Sequence, residues 1–267
     1  MKIILSRKGF DSKNGGIPSP LMPDGTLLSL PIPSSDEGQY RDLAWETISY
    51  EELLKELHPG WQSVNCHIDP DLAPGRRIRQ PENWQPAFGQ IHQSQRYLSQ
   101  TAKAEPGDLF LFFGTFRKVE RTGGGFRYVR KTRENRDGCE FHAIFGYLQI
   151  GEILTEPEKI ARCFWHPHAC RARLSDPTNA LYLPEKQLSF APGLPGCGYL
   201  PYDERRVLTM PGSPKGTWKD NPVYRPEAVV GNRRNSAEGT GIYYAGIWQE
   251  LALRESAEAE LWAKSLF

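Results

Sequence analysis

Prolines and glycines recur throughout this chain, and they set the first limit on its fold. Its 267 residues include 22 prolines and 25 glycines, spread along the sequence rather than gathered in one linker. Proline removes a backbone donor and glycine costs backbone entropy in a helix, so helices are confined to the gaps between them. The proline content exceeds the ~5% usual in globular proteins, and the pattern predicts many short strands joined by ordered loops. Segment 7–35 is the extreme case, with Gly15-Gly16-Ile17-Pro18-Ser19-Pro20, Asp24-Gly25 and Leu30-Pro31-Ile32-Pro33 following a first strand at Lys2–Ser6. A loop of that length in a compact protein is often functional.

Helices fit in a few places. Ser49 and Glu52 have the spacing of a capping box, predicting a helix to about Leu57 that stops at Pro59-Gly60. A second helix is predicted over about Gly89–Ala102, with Ile91, Gln95 and Leu98 on one face. A third starts near Ser256, with Leu261, Trp262 and Leu266 facing inward. Leu109–Gly114, dense in Leu and Phe and preceded by Pro106-Gly107-Asp108, reads as a buried strand. In Phe141–Ile153, His142, Ile144, Gly146, Leu148 and Ile150 alternate with Ala143, Phe145, Tyr147 and Gln149, again as in a strand. Shorter strands are predicted at Ala180–Leu183, Arg206–Leu208 and Ile242–Ala245. Strands with occasional helices and no βαβ alternation give an α+β fold, a curved antiparallel sheet or small barrel with peripheral helices. The pair Gly107–Arg117 and Phe141–Ile153 resembles the strand pairing of PUA-like barrels, which bind RNA or modified bases.

Composition narrows the setting. Hydrophobic residues make up 39% and charged residues 24%, enough apolar surface for one core or two closely packed halves. A net charge of +1 excludes a generally basic surface, so any nucleic-acid affinity must come from a local patch. Five cysteines without a C-x-x-C pair read as reduced thiols, and the early polar residues at Ser6-Arg7 do not suit a signal peptide; both lead to an expected cytoplasmic location. No apolar run approaches the ~20 residues of a membrane span, so no membrane partner is expected.

Four constellations carry chemistry. In His67-Ile68-Asp69-Pro70-Asp71, an extended backbone would put His67, Asp69 and Asp71 on one side, as a metal site or a base with its orienting partner. A surface turn capped by the two aspartates explains the same residues. In His166-Pro167-His168, proline would hold the segment extended, giving a His-x-His ligand spacing, or two histidines bonded to backbone. A basic stretch, Arg117 to Arg136, contains Lys118, Arg121, Arg127, Arg130, Lys131 and Arg133 around a Gly123-Gly124-Gly125 tip. Only Glu120 and Glu134 oppose these charges, and Phe126 and Tyr128 sit among them. Such a ribbon can hold phosphates and stack on bases, or be a solvated hairpin. Finally, Arg7-Lys8-Gly9-Phe10-Asp11 with Gly15-Gly16 offers a cation and clustered amides for a phosphate, or an ordered surface loop, and matches no P-loop or dinucleotide fingerprint.

Taken together, these segments resemble the nucleotide-modification-associated domain 3 family. The residues that carry the resemblance are Lys8-Gly9-Phe10-Asp11 with Gly15-Gly16 and Pro18-Ser19-Pro20, then Asp24-Gly25 and Leu30-Pro31-Ile32-Pro33, His67-x-Asp69-Pro70-Asp71 and Gly89-Gln90. They continue through Gly107-Asp108-x-Phe110-Leu111-Phe112-Phe113-Gly114, His166-Pro167-His168 and Trp248-Gln249-Glu250. Trp248 departs from the glycine of the family pattern. The resemblance implies one unit over residues 1–267 and a setting in DNA base modification. It leads to an enzyme or accessory factor acting on DNA bases or free nucleotides, with proteins of a modification or phage-defence system as further partners. The alternative is a non-catalytic PUA-like reader of modified bases. The expected site gathers Asp11, His67, Asp69, His166 and His168, the last four as ligands of a divalent metal. Lys8, Arg117, Lys118, Arg127, Arg130 and Lys131 would hold phosphates, and Gln249 or Glu250 would read a base edge.

Overall fold

A computed structural model describes residues 1–132, 136–233 and 235–267. Among the described residues, nine strands form one sheet: β1 (Ile3–Arg7), β2 (Ser19–Leu21), β3 (Phe88–Gln90), β4 (Leu109–Thr122), β5 (Gly125–Tyr128), β6 (Phe141–Leu154), β7 (Ala180–Pro184), β8 (Cys197–Tyr199) and β9 (Glu250–Ala252). Its path is β9-β1-β4-β6-β7-β3, with β2 and β5 added to β4 and β8 added to β6. β1 and β2 run parallel to β4 and the remaining pairs are antiparallel. The antiparallel-rich sheet curls into a half-barrel. Helices lie around it: α1 (Tyr50–Leu57), α2 (His92–Arg96, running on through a π-turn to Ala102), α3 (Pro157–Ala161), α4 (Arg171–Leu174) and α5 (Ala257–Lys264). The fold is therefore the expected α+β type with a curved sheet and peripheral helices.

The Leu/Phe run of β4 is explained by burial on both faces. Leu109, Leu111 and Phe113 point into a core shared with Trp218, Tyr244 and Ala263 of α5, whereas Phe110, Phe112 and Phe116 meet Phe88, Phe145 and Tyr182 on the other side. A strand covered on both sides reads as a continuous apolar run rather than an alternation. Each buried Phe contributes ~1.5–3 kcal/mol relative to exposure. The Gly/Pro segment after β1 closes a third core, with Phe10, Leu28 and Leu30 against Leu53 and Leu54 of α1 and Phe126 of β5.

Several expectations are corrected. Gly89 and Gln90 belong to β3, and the helix begins only at His92. The alternation predicted for Phe141–Ile153 is broken by a bulge. Phe112 pairs with Gly146 but Phe113 with Ile144, which leaves Phe145 as the extra residue. Leu148 and Ile150 thus join Phe145 in one core, while Ile144 and Tyr147 share the other. Arg206–Leu208 is a 3-10 turn and a single bridge from Val207 to Ala143, not a strand. On α5, Ala259 and Ala263 face inward, and Leu261 is 67% exposed. The capping box is present, with Ser49 accepting from the Glu52 amide and Glu52 accepting from Ser49.

The two ends of the sheet path, β9 and β3, are not joined by backbone pairing, but a side-chain bond spans them. Gln90 Nε2 donates to Glu250 Oε1 at 2.7 Å. Tyr97, in the π-turn after α2, covers this seam by accepting from the Ala252 amide and donating to Val230 O. The ends of β1 and β3 and the approach to β9 therefore open on one side of the molecule. No helix of the described residues is long and apolar enough to cross a membrane.

Candidate metal centre

At that opening is a cleft of ≈ 540 Å³, lined among others by Arg7, Lys8, Asp11, His67, Asp69, Gln90, His168, Arg233 and Gln249. Segments far apart in sequence reach it for local reasons. Lys8 and Asp11 follow β1, whose partner β4 fixes the turn through the Lys8 amide to Phe113 O. Asp71 and Ala87 exchange backbone hydrogen bonds, laying the His67–Asp71 segment along the approach to β3. This alignment lets the Gly89 amide donate to Asp69 Oδ1 at 2.7 Å. Pro167 starts a 3-10 turn, Pro167–Ala169, with His166 as its N-cap, so the predicted extended His-Pro-His segment is not formed.

That turn separates the two histidines. His166 Nδ1 accepts from the His168 amide at 3.2 Å, which leaves its proton on Nε2, 3.2 Å from Asp69 Oδ1. Both ring nitrogens of His166 are thereby engaged, and its part is to hold Asp69. His168 turns the other way. Asn179 Nδ2 donates to His168 O, so Asn179 Oδ1 is the group that faces His168 Nδ1 at 2.6 Å, and it takes the Nδ1 proton. The lone pair of His168 is consequently on Nε2. His67 is fixed in the same manner, Nδ1 meeting Asp36 Oδ2 at 2.7 Å and Nε2 left facing Asp69 Oδ2 at 3.8 Å. Asp36 is in turn held by Arg173 at 2.5 and 3.2 Å.

His67, Asp69 and His168 thus each present one free donor atom, and their ligand atoms lie within 4.8 Å of one another. Gly89 permits this closeness, since a Cβ on it would stand 2.3 Å from His168 Cδ2. Asp71, expected to converge with them, is turned away and held by Arg77 and the Trp84 N–H.

The electrostatics match a site with an uncharged His168 ring and an ionised carboxylate. Burial works to raise the Asp69 carboxyl, but the His166 N–H and the Lys8 charge outweigh it and hold it well below the ordinary carboxylate range. Asp36 is likewise depressed, burial being overcome by His67 and Arg173. Burial pushes His168 down to about 3, keeping its ring uncharged at neutral pH.

At the cleft floor, Lys8 Nζ lies 3.5 Å from Glu250 Oε1 and 4.2 Å from the centre of the Phe88 ring. Glu250 is fully buried; its Oε1 also receives Ser6 and Gln90, and Oε2 has no hydrogen-bond partner among the described residues. Burial raises its pKa, against the opposing pull of Lys8. Gln249 accepts from Ser94 through Oε1. Asp11 holds its own loop by accepting from Lys13 and Asn14, and pairs with Arg7 at 3.2 Å.

The basic ribbon lies elsewhere. None of Arg117, Lys118, Arg127, Arg130 and Lys131 lines the cleft. Arg117 bonds Val129 O, Lys118 pairs with Asp137 and Arg127 with Glu120. Phe126 is buried in the core under the ribbon, and Tyr128 packs partly against it with its hydroxyl donating to Pro18 O. Arg133 and Glu134 lie outside the described residues. Sequence reasoning missed Asp36, Asn179 and Arg233, none of which sits in a pattern that singles it out.

Comparison with curated proteins and with solved structures finds no match. The model of the family described as nucleotide modification associated domain 3 matches residues 2–257, nearly the whole chain, and the chain belongs to that family.

Proposed function

We propose that this chain is a metal-assisted enzyme acting on nucleobases in DNA or on free nucleotides, with His67 Nε2, Asp69 Oδ2 and His168 Nε2 holding one divalent cation. The observation that carries the reading is the convergence of three free donor atoms, each on a side chain fixed by a partner behind it. A carboxylate or amide oxygen on the far imidazole nitrogen is the usual support of a metal-bound histidine. The 3.8 Å between His67 Nε2 and Asp69 Oδ2 is below the ~4.2 Å limit for two ligands at ~2.1 Å from one ion, and the His168 ligand atom lies within 4.8 Å of both. Two imidazoles and a carboxylate suit Zn²⁺, Fe²⁺ or Mn²⁺, and such an ion would supply Lewis-acid chemistry at the cleft.

The chain's own groups do the rest. Asp36 and Asn179 fix which nitrogen of each imidazole is free, and His166 with the Gly89 amide keeps one Asp69 oxygen occupied and the other available. Gln249, anchored through its oxygen by Ser94, presents its amide N–H groups to the cleft for a base edge.

Metal content of the purified protein, measured after equilibration with each of Zn²⁺, Fe²⁺ and Mn²⁺, tests the reading. About one equivalent in the wild type and none in H67A/H168A is expected, with base or nucleotide turnover followed by mass spectrometry of nucleosides. A protein that takes up none of these ions, or a double variant that keeps the metal, removes it.

A second reading rests on a separate cavity of ≈ 390 Å³ lined by Met22, Phe141, Tyr202, Val207 and Met210. A cavity with Phe141 and Tyr202 in its wall and neither His67 nor His168 suits a reader of modified bases. Modified-nucleoside binding that survives H67A/H168A and is lost in F141A would favour it.

A further inference from the structure

Four cations line the cleft: Arg7, Lys8, Arg173 and Arg233. Three of them have a carboxylate of their own, Arg7 with Asp11 at 3.2 Å, Lys8 with Glu250 at 3.5 Å and Arg173 with Asp36 at 2.5 Å. Among the described residues, Arg233 has no carboxylate within ion-pair distance, and Glu250 acts on it only through space. Its guanidinium is nevertheless held in place, 3.8 Å from the centre of the Tyr97 ring and 5.5 Å from that of Trp248. Nη1 donates to Glu250 O at 3.1 Å and Nη2 to Gln93 O at 3.3 Å. These bonds use two of the five N–H donors of the side chain. A half-buried guanidinium with no ion-pair partner in contact, only the more distant pull of Glu250, is costly in the free protein. It is also a preorganised fork for a planar or tetrahedral oxyanion.

We infer that Arg233 is the anion anchor of this cleft and binds a phosphate group of the substrate. The inference rests on the reading of the cleft as a nucleotide or DNA site, and deepens it by assigning the part of the substrate that is gripped away from the metal ligands. The phosphate belongs either to a free nucleotide or to the backbone of a DNA strand, since the same fork serves both.

The test is calorimetric titration of the wild type, R233Q and R233K with deoxynucleoside 5′-monophosphates, with the matching deoxynucleosides and with a short single-stranded oligodeoxynucleotide. The wild type should bind a phosphate-bearing probe more tightly than the nucleosides. Preference for the monophosphate identifies a free nucleotide, and preference for the oligonucleotide a strand. R233Q should lose ~10- to 100-fold in affinity for that probe, the range for one charge-assisted partner, with nucleoside binding unchanged. R233K, which keeps the charge and loses the fork, should fall between. Equal binding of nucleosides and phosphate-bearing probes by the wild type overturns the inference whether or not R233Q folds, as does the absence of binding to any probe. So does a folded R233Q that binds like the wild type. Metal content measured on the same preparations keeps the two readings apart. A wild type that takes up no metal yet prefers phosphate removes the metal centre and leaves Arg233 in its role.

Discussion

His166 donates from Nε2 to Asp69 Oδ1 at 3.2 Å while its own Nδ1 is capped by the His168 amide, so one histidine of the His-x-His segment serves the carboxylate that the other faces. The two side chains are therefore expected to fail differently. H168A removes a ligand and should abolish metal uptake. H166A leaves all three donor atoms in place but frees Asp69 to rotate, and loss of such a supporting partner typically costs ~10–100-fold in metal affinity. Competition against a chromophoric chelator measures both. Equal losses in the two variants would show that His166 is itself a ligand.

Gly89 ties the carboxylate to the imidazole at close quarters. Its amide donates to Asp69, and a Cβ would lie 2.3 Å from His168 Cδ2 and 2.6 Å from Nε2. G89A keeps the amide but pushes the ring away, and His168 is hemmed in by Asn179. The expected result is a destabilisation of ~1–3 kcal/mol, as for other overpacked sites, together with weakened metal binding. Urea melts with and without metal check it: the metal-linked gain in midpoint should shrink in G89A.

How much of this was legible in the sequence follows from what each signal depends on. The capping box at Ser49, the buried run of β4 and the pairing of β4 with β6 are local patterns, and local patterns survive folding. The meeting of Asp11, His67, Asp69 and His168 at one cleft matched the chemistry of the residue types, but their division of labour did not show. Pro167 opens a 3-10 turn rather than an extended segment, and that one difference sends His166 to Asp69 and His168 to Asn179. The bulge at Phe145 was hidden because both faces of β6 are apolar, so alternation carried no register. The ribbon's charges read as nearly unopposed because sequence could not show that Lys118 and Arg127 meet Asp137 and Glu120. Arg233 was invisible for the opposite reason, a lone arginine in the sequence whose lack of a contacting carboxylate exists only in space.

Acid should unfold the metal-free protein early. Burial pushes His168 down to about 3, and His142 likewise to about 3, its Nδ1 accepting from the Trp218 N–H. Both have folded values below the ordinary 6.5, so the unfolded chain binds more protons between those limits. Their contribution to stability is present above pH 6.5 and is lost as pH falls toward 3, at up to ~1.4 kcal/mol per pH unit for each group. By pH 5 the two together should cost ~4 kcal/mol. Urea midpoints in chelator between pH 8 and 5 measure the slope, and H142Q, which keeps an acceptor for Trp218, should reduce it by about half. A slope unchanged in H142Q would mean that His142 is not buried in its neutral form.

Lys8 and Glu250 pose a question of stability against function at the cleft floor. Glu250 is fully buried and Lys8 nearly so, their charged atoms are 3.5 Å apart, and Glu250 Oε2 lacks a partner. Taking either charge away leaves the other in a low-dielectric setting, so K8M and E250L should each destabilise by ~3–5 kcal/mol. Replacing both by apolar groups of similar volume removes the uncompensated charge, and such replacements are often neutral or stabilising. The double variant K8M/E250L is therefore expected to be more stable than either single one, the mark of a coupled pair in a double-mutant cycle. Gln90 complicates the comparison because it bonds the same Oε1 and spans the seam between β3 and β9. E250Q separates its contribution, retaining an oxygen for Gln90 while removing the counter-charge from Lys8. If the seam dominates, E250Q should be close to wild type in stability, and only E250L should loosen β9. If the ion pair dominates, E250Q should fall with K8M. Denaturant melts rank the variants, and hydrogen exchange at the Ala252 amide, which donates to Tyr97 across the seam, reports whether β9 has come loose.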